Sequence, residues 1–279
     1  MLNHSFVHIP TIGLATERKF WTSGIKTMEE FIQSPPAFLK PARQQTVGKH
    51  IQMSINKMQS GEARYFCDNL PAGEQWRLFR EYQDSTAYID IETTGIGDYG
   101  DIITTIALYD GKEIKHYING KNLDEFRHDI MEYKVIVTYN GKTFDVPFIE
   151  KYLGISIEHA HLDLRYILKG LGYSGGLKSC EQQLGIGRTG CLEDVDGYFT
   201  VLLWYDYKKK RKEKSLETLL AYNIQDVLSL EHLMITAYNQ RIGGIPLKIK
   251  PLKPGSPPAN PFVPDLPTIN RIKKESWLF

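Results

Sequence analysis

Four acidic residues and one tyrosine in this 279-residue sequence have the types and spacing to do chemistry together. In AYIDIETTGIG, residues 87–97, Asp90 and Glu92 stand two apart in an apolar run that breaks at Gly95 and Gly97. Successive strand side chains point to opposite faces, so the two carboxylates share one face and Ile89 and Ile91 take the other. Like charges that close repel and raise each other's pKa, a conflict that a bound cation relieves. Asp145 follows the run KVIVTYN and opens a helix, where the helix dipole favours a carboxylate. Farther on, LETLLAYNIQDVLSLEHL carries Leu216, Leu220, Ile224, Val227 and Met234 on one helical face, with Tyr222 and Asp226 one turn apart on its shoulder. Oxygen-only clusters of this kind suit hard divalent ions such as Mg²⁺ or Mn²⁺ rather than zinc. Two ions held by shared carboxylates can activate a water and steady the leaving oxygen of a phosphodiester.

The elements that must position these groups follow from periodicity. From residue 86 the pattern predicts strands at TAYIDIE, IITTIALYD and EIKHYIN, a helix over about 122–132, a strand at KVIVTYN and a helix from about Phe144. Three strands in hairpin succession followed by a helix and another strand describe an α/β fold, a mixed β-sheet flanked by helices. Helical patterns dominate from about 161 to 239. Before residue 85 the reading is a small helical N-terminal segment, broken at Pro35-Pro36 and again at Pro41. After Gly243-Gly244 lie eight of the fourteen prolines and no amphipathic period. That predicts an extended, mostly disordered basic tail over 241–279. The division is thus 1–35, a connector over 36–84, a domain over 85–240, and the tail.

With 42% hydrophobic residues the chain can bury a sizeable core. Its three cysteines, Cys67, Cys180 and Cys191, have no CxxC spacing, which argues against a disulfide framework or zinc knuckle and fits a reducing, cytoplasmic setting. MLNHSFVHIP lacks the pattern of a secretory leader, and no apolar run approaches the length of a membrane span, so the reading is a soluble, unexported protein. The net charge is +1, but residues 85–207 hold 11 Lys+Arg against 19 Asp+Glu. Basic stretches flank this acidic centre, at Lys208–Lys214 (KKKRKEK) and over 241–279.

DIE at 90–92, NGKTFD at 140–145 and YNIQD at 222–226 together resemble the three motifs of the DEDD 3′-5′ exonucleases, which have an RNase H-like fold. The similarity spans about residues 86–240, and HLDLRYILKGLGYSGGLKSCEQQLG within it resembles the YprB-like RNase H-like exonuclease group. The resemblance implies that Asp90, Glu92 and Asp226 hold one metal ion with its nucleophilic water, and that Asp90 with Asp145 holds a second. It implies that Tyr222 orients the water, as in the tyrosine branch (DEDDy). The histidine branch would need His at 221, where Ala221 stands. The implied activity is metal-dependent release of nucleotides from single-stranded DNA or RNA. The alternative is a catalytically silent nucleic-acid-binding module.

Around this set, Thr93, Thr94 and Ile96 follow the acidic pair, either meeting a terminal nucleotide with Ile96 as a wedge or simply forming a strand-end turn. Asn140 orients the loop before Asp145, Lys142 meets a phosphate or is solvated, and Asp163 reads as a helix cap rather than a ligand. Lys208–Lys214 is a track for a nucleic-acid backbone or a solvated face. HIPTIGLATERKFWTSGIKTMEEF resembles half of a helix-hairpin-helix module, with Thr11 where the first glycine is expected and Gly13 retained. Such a segment either binds phosphate or packs. The final KKESWLF, with Trp277 and Phe279, offers a peptide for docking a protein partner.

Overall fold

The computed structural model describes residues 1–186 and 197–276. Its centre is a five-stranded sheet in the order β3-β2-β1-β4-β5. The strands are β1 (Thr86–Thr93), β2 (Ile103–Tyr109), β3 (Ile114–Ile118), β4 (Val135–Thr138) and β5 (Ala160–Asp163). β1, β2 and β3 pair antiparallel, and β1–β4 and β4–β5 pair parallel. Hairpins need only tight turns, whereas each parallel step needs a crossover. Helical turns over 123–132, including α6 (Phe126–Asp129), and α7 (Asp145–Leu153) supply the two crossovers. The single helix expected at 122–132 is thus a succession of short 3₁₀ and α turns.

Strand alternation divides the core as expected. Ile89, Ile91 and Ile136 pack with Phe148, Ile149 and Leu153 of α7 on one face. Tyr88, Tyr109, Val135 and Val137 pack on the other against Ile224, Val227 and Leu230 of the 31-residue helix that runs Glu213–Gly243. Between β5 and that helix come α8 (Leu164–Lys169), α9 (Leu177–Gln183) and α10 (Gly197–Lys210), which makes the long helix α11. β5 corrects the helical start given to 161–239. Four residues with a half-buried His161 give no strand period, and it is pairing with β4 that extends them.

The N-terminal region contributes α1 (Leu14–Thr22), α2 (Met28–Gln33), α3 (Pro41–Gln59), α4 (Ala63–Asn69) and the short α5 (Phe79–Tyr82). Thr27 starts α2 with a capping box to Glu30. Phe6, Phe20, Phe31, Phe66 and Phe79 belong to the same apolar cluster as Ile224 and Met234 of α11. A fully buried ion pair ties segment to connector. Arg77 Nη1 donates to both Glu17 oxygens at 2.8 and 2.9 Å, and the Phe6 N–H donates to Glu17 at 2.7 Å. The guanidinium lies 5.9 and 5.7 Å from the Trp21 and Trp76 ring centroids. Residues 1–84 therefore share a core with the sheet. Thr11 takes the left-handed φ of 72° that a glycine would adopt freely.

Of the 241–279 segment expected to be disordered, residues 244–276 are instead strapped along α11. Asn239 exchanges two hydrogen bonds with the Leu252 backbone, Asn260 Nδ2 donates to the Ala221 carbonyl at 2.8 Å, and the Asp265 N–H donates to Thr218 at 3.0 Å. The helix α12 (Leu266–Ser276) then buries Ile269 and Ile272 against Leu203 of α10 and Leu216 of α11. Arg271 donates to both oxygens of buried Asp206 at 2.9 and 2.5 Å. Before α12 the strap's apolar residues, Ile245, Leu247, Ile249, Leu252 and Phe262, are only half-buried against the core and interspersed with prolines, and that is why composition misread it. Trp277 and Phe279 lie outside the described residues.

Candidate active site

Asp90 and Glu92 project from the α11 side of β1, at the centre of the sheet, where a bulge between Glu92 and Thr93 ends regular pairing with β2. Asp226 meets them from α11. One carboxylate oxygen from each of the three lies within 4.8 Å of the others. Asp145, the first residue of α7, is 4% exposed, and its Oδ1 accepts the Ile91 N–H at 3.3 Å. That bond ties α7 to β1 beside the cluster.

The loop before Asp145 is braced by Asp163. Its carboxylate accepts the N–H groups of Asn140 (2.8 Å), Lys142 (3.0 Å) and Arg165 (3.0 Å), so it caps α8 as expected and also holds the NGKTFD turn. Asn140 sits at φ 69°, a conformation asparagine tolerates. At Gly141 a Cβ would lie 2.4 Å from Thr138 Oγ1, so only glycine fits.

Electrostatics match the geometry. Burial pushes the Asp90 carboxyl well above the usual carboxylate range, the charges of Asp226, Asp145 and Glu92 push it further, and the Asn223 hydrogen bond pulls it back. Asp145 is pushed up to about 7, chiefly by burial and against the hydrogen bonds it accepts from its own N–H and that of Ile91. The cluster therefore holds charges that are unfavourable without a cation. Its donors are all carboxylate oxygens, the set that hard divalent ions prefer.

Three residues absent from the sequence reading support the cluster. Asn223 Nδ2 donates to Asp90 Oδ2 at 2.7 Å, while its Oδ1 accepts from Thr105 at 3.0 Å. Thr200 of α10 donates to Glu92 Oε2 at 2.6 Å. Lys178 places its ammonium 5.2 Å from the centroid of the buried Tyr222 ring. Asn223 had a sequence signal in its position inside YNIQD, Lys178 lies within the 161–185 stretch, and Thr200 had none.

A cleft of about 460 Å³ opens over Asp90, Glu92 and Asp145, and Thr93, Thr94, Ile96 and Asn140 line it. Ile96 is 84% exposed at its rim. Thr94 Oγ1 also accepts the Ile102 N–H at 2.9 Å and so shapes the loop. Lys142 is not in the lining; its Nζ donates to Gln75 in the connector at 2.9 Å. Tyr222 lies one turn before Asp226, at the seam of α10, α11 and α12.

The model of the RNase_H superfamily matches residues 87–238, more than half of the chain and all of the elements that carry the cluster. The chain belongs to the RNase_H superfamily. Its mixed sheet flanked by helices is the RNase H-like fold. Another chain similar to this RNase_H superfamily member is the uncharacterized protein YprB of Bacillus subtilis (strain 168), 32% identical over 172 residues. That match covers 53% of this chain and 40% of YprB, so this chain spans about two-fifths of that relative's length. Solved structures similar to it include Brucella melitensis NrnC with bound Mg²⁺, 18% identical over 60% of this chain and 79% of that one, with a TM-score of 0.41. NrnC bound to pGG is also 18% identical, over 59% and 76%, with a TM-score of 0.40.

Proposed function

We propose that the chain is a divalent-metal-dependent 3′-5′ exonuclease of the tyrosine branch, releasing nucleotides from single-stranded DNA or RNA. The observation that carries this reading is the convergence of Asp90, Glu92 and Asp226 within 4.8 Å, beneath a cleft that Asp145 also lines. Asp90, Glu92 and Asp226 would hold one Mg²⁺ or Mn²⁺ ion, and Asp90 with Asp145 a second. Bound there, the ions supply an acidified water and charge to steady the leaving oxygen.

The chain's own residues do the rest. Asn223 fixes the rotamer of Asp90, and Thr200 fixes that of Glu92. A phenol is a poor base at neutral pH but a good hydrogen-bonding group, so Tyr222 positions the attacking water rather than deprotonating it. Ile96 presses on the terminal base at the rim. The direction of cleavage rests on the motif resemblance. Cys67 and Cys180 are free thiols, and we place the protein in the cytoplasm.

The test is end-labelled single- and double-stranded DNA and RNA incubated with the wild type and Asp226→Asn, in Mg²⁺, Mn²⁺ or EDTA. Stepwise shortening from the 3′ end that requires metal and Asp226 is expected. Binding without any nucleotide release would instead leave a silent nucleic-acid-binding module.

A further inference from the structure

One face of α10 is turned largely away from the core and the carboxylate cluster, with Leu202 half-buried along it. Phe199, Leu203, Trp204 and Asp206 are buried, while Tyr198 is 70% and Tyr205 43% exposed. At the helical repeat, Tyr198, Leu202, Tyr205 and Lys209 fall on one stripe. The stripe begins inside the catalytic cleft, which Tyr198 and Val201 help to line. It ends in ammonium groups, with Lys209 Nζ 5.1 Å from the Tyr205 ring centroid. Of the neighbouring bases, Lys210 pairs with Glu275 and Asp206, and Lys214 pairs with Glu217. The sole acid of α10, Asp206, is buried, so the exposed stripe carries no negative charge.

Two phenol rings facing water, separated by about 10 Å along a helix axis, offer π-faces at a spacing suited to stacking bases rather than to filling a core. Ammonium groups at the far end supply the attraction for phosphate that the acidic cleft lacks. We propose that α10 is the track on which single-stranded nucleic acid lies as it leaves the catalytic cleft. Tyr198 and Tyr205 are its stacking platforms, and Lys209 contacts the backbone. The occupant is nucleic acid rather than protein because the stripe is continuous with the cleft and its charge is complementary to phosphate. The inference rests on the nuclease reading above and adds where the strand runs.

Fluorescence anisotropy of labelled oligothymidylate and oligouridylate, three and twelve nucleotides long, tests it in the full chain carrying Asp226→Asn to prevent turnover. Tyr205→Ala should weaken the twelve-mer about tenfold and the three-mer far less, while Tyr205→Phe, which keeps the ring, should restore the affinity. Lys209→Ala should lower the slope of log affinity against log salt by about one. Unchanged twelve-mer affinity in both alanine variants would overturn the track and leave the face to a protein partner, and equal losses at both lengths would overturn it as well. If the parent enzyme cleaves nothing yet the twelve-mer still binds through Tyr205, the nuclease reading falls and the track stands. Metal-dependent cleavage with Tyr205-independent binding sinks the track alone.

Discussion

Neutralising Asp145 should stabilise the metal-free protein, and the gain should grow with pH. The Asp145 carboxyl is buried, and its pKa is raised from 3.8 to about 7. Between pH 3.8 and about 7 the unfolded chain ionises this carboxyl and folding must protonate it, so the cost is near zero below pH 3.8, grows across that window and is nearly complete at pH 8. Three pKa units correspond to about 4 kcal/mol. Asp90 is pushed up by the Asp145 charge and titrates with it, so part of that cost is shared, and about 2 kcal/mol is the expected gain for Asp145→Asn at pH 8. Asparagine keeps an Oδ1 to accept the Ile91 N–H, so the loop geometry survives the substitution. Urea denaturation in EDTA at pH 4.5 and pH 8, wild type against variant, gives the difference directly. Mg²⁺ should then stabilise the wild type more than the variant, because the ion relieves the same repulsion. A variant no more stable than wild type at pH 8, or a gain independent of pH, would refute the electrostatic account of the site.

Tyr222→Phe should lower kcat about ten- to a thousandfold with little change in KM, against near-total loss for Asp90→Asn, as steady-state kinetics on a labelled oligonucleotide would show. Burial alone would raise Asp206, yet the bonds from Arg271 and Ser215 hold it at about 2. Its contribution is therefore present above pH 3.8 and lost as pH falls toward 2. Arg271 is one-third exposed, so Arg271→Leu should cost about 2 kcal/mol at pH 7, with the gap to wild type closing in acid denaturation. Thr11→Gly relieves a β-branched residue at φ 72° and should raise stability by about 0.5 kcal/mol in thermal unfolding, the strain relieved slightly exceeding the added chain entropy.

The site was legible because each carboxylate lies where a strand or helix period fixes its face. Asp90 and Glu92 alternate with two isoleucines and so share a face, Asp226 rides the shoulder of a leucine stripe, and the motif resemblance joined the three. What sequence hid was set by partners distant in the chain. β5 is extended by its pairing with β4. Thr200 reaches Glu92 across 108 positions, and Lys142 reaches Gln75 across 67. Nothing local marks such contacts. The proline-rich end misled for the opposite reason. Its order comes from single bonds to Asn239, Ala221 and Thr218, from half-buried apolar residues scattered among prolines, and from the short α12 that buries Ile269 and Ile272.

That strap has a consequence for biosynthesis. Residues 260–276 leave the ribosome after α10 and α11, yet they hold the Asn260 bond to Ala221, next to Tyr222, and the Arg271 clamp on Asp206. While they are still being polymerised, Asp206 faces an apolar seam without its guanidinium, and the helix bearing Thr200 lacks its outer support. The outer support of the helix that braces Glu92 is thus completed last, when the strap docks.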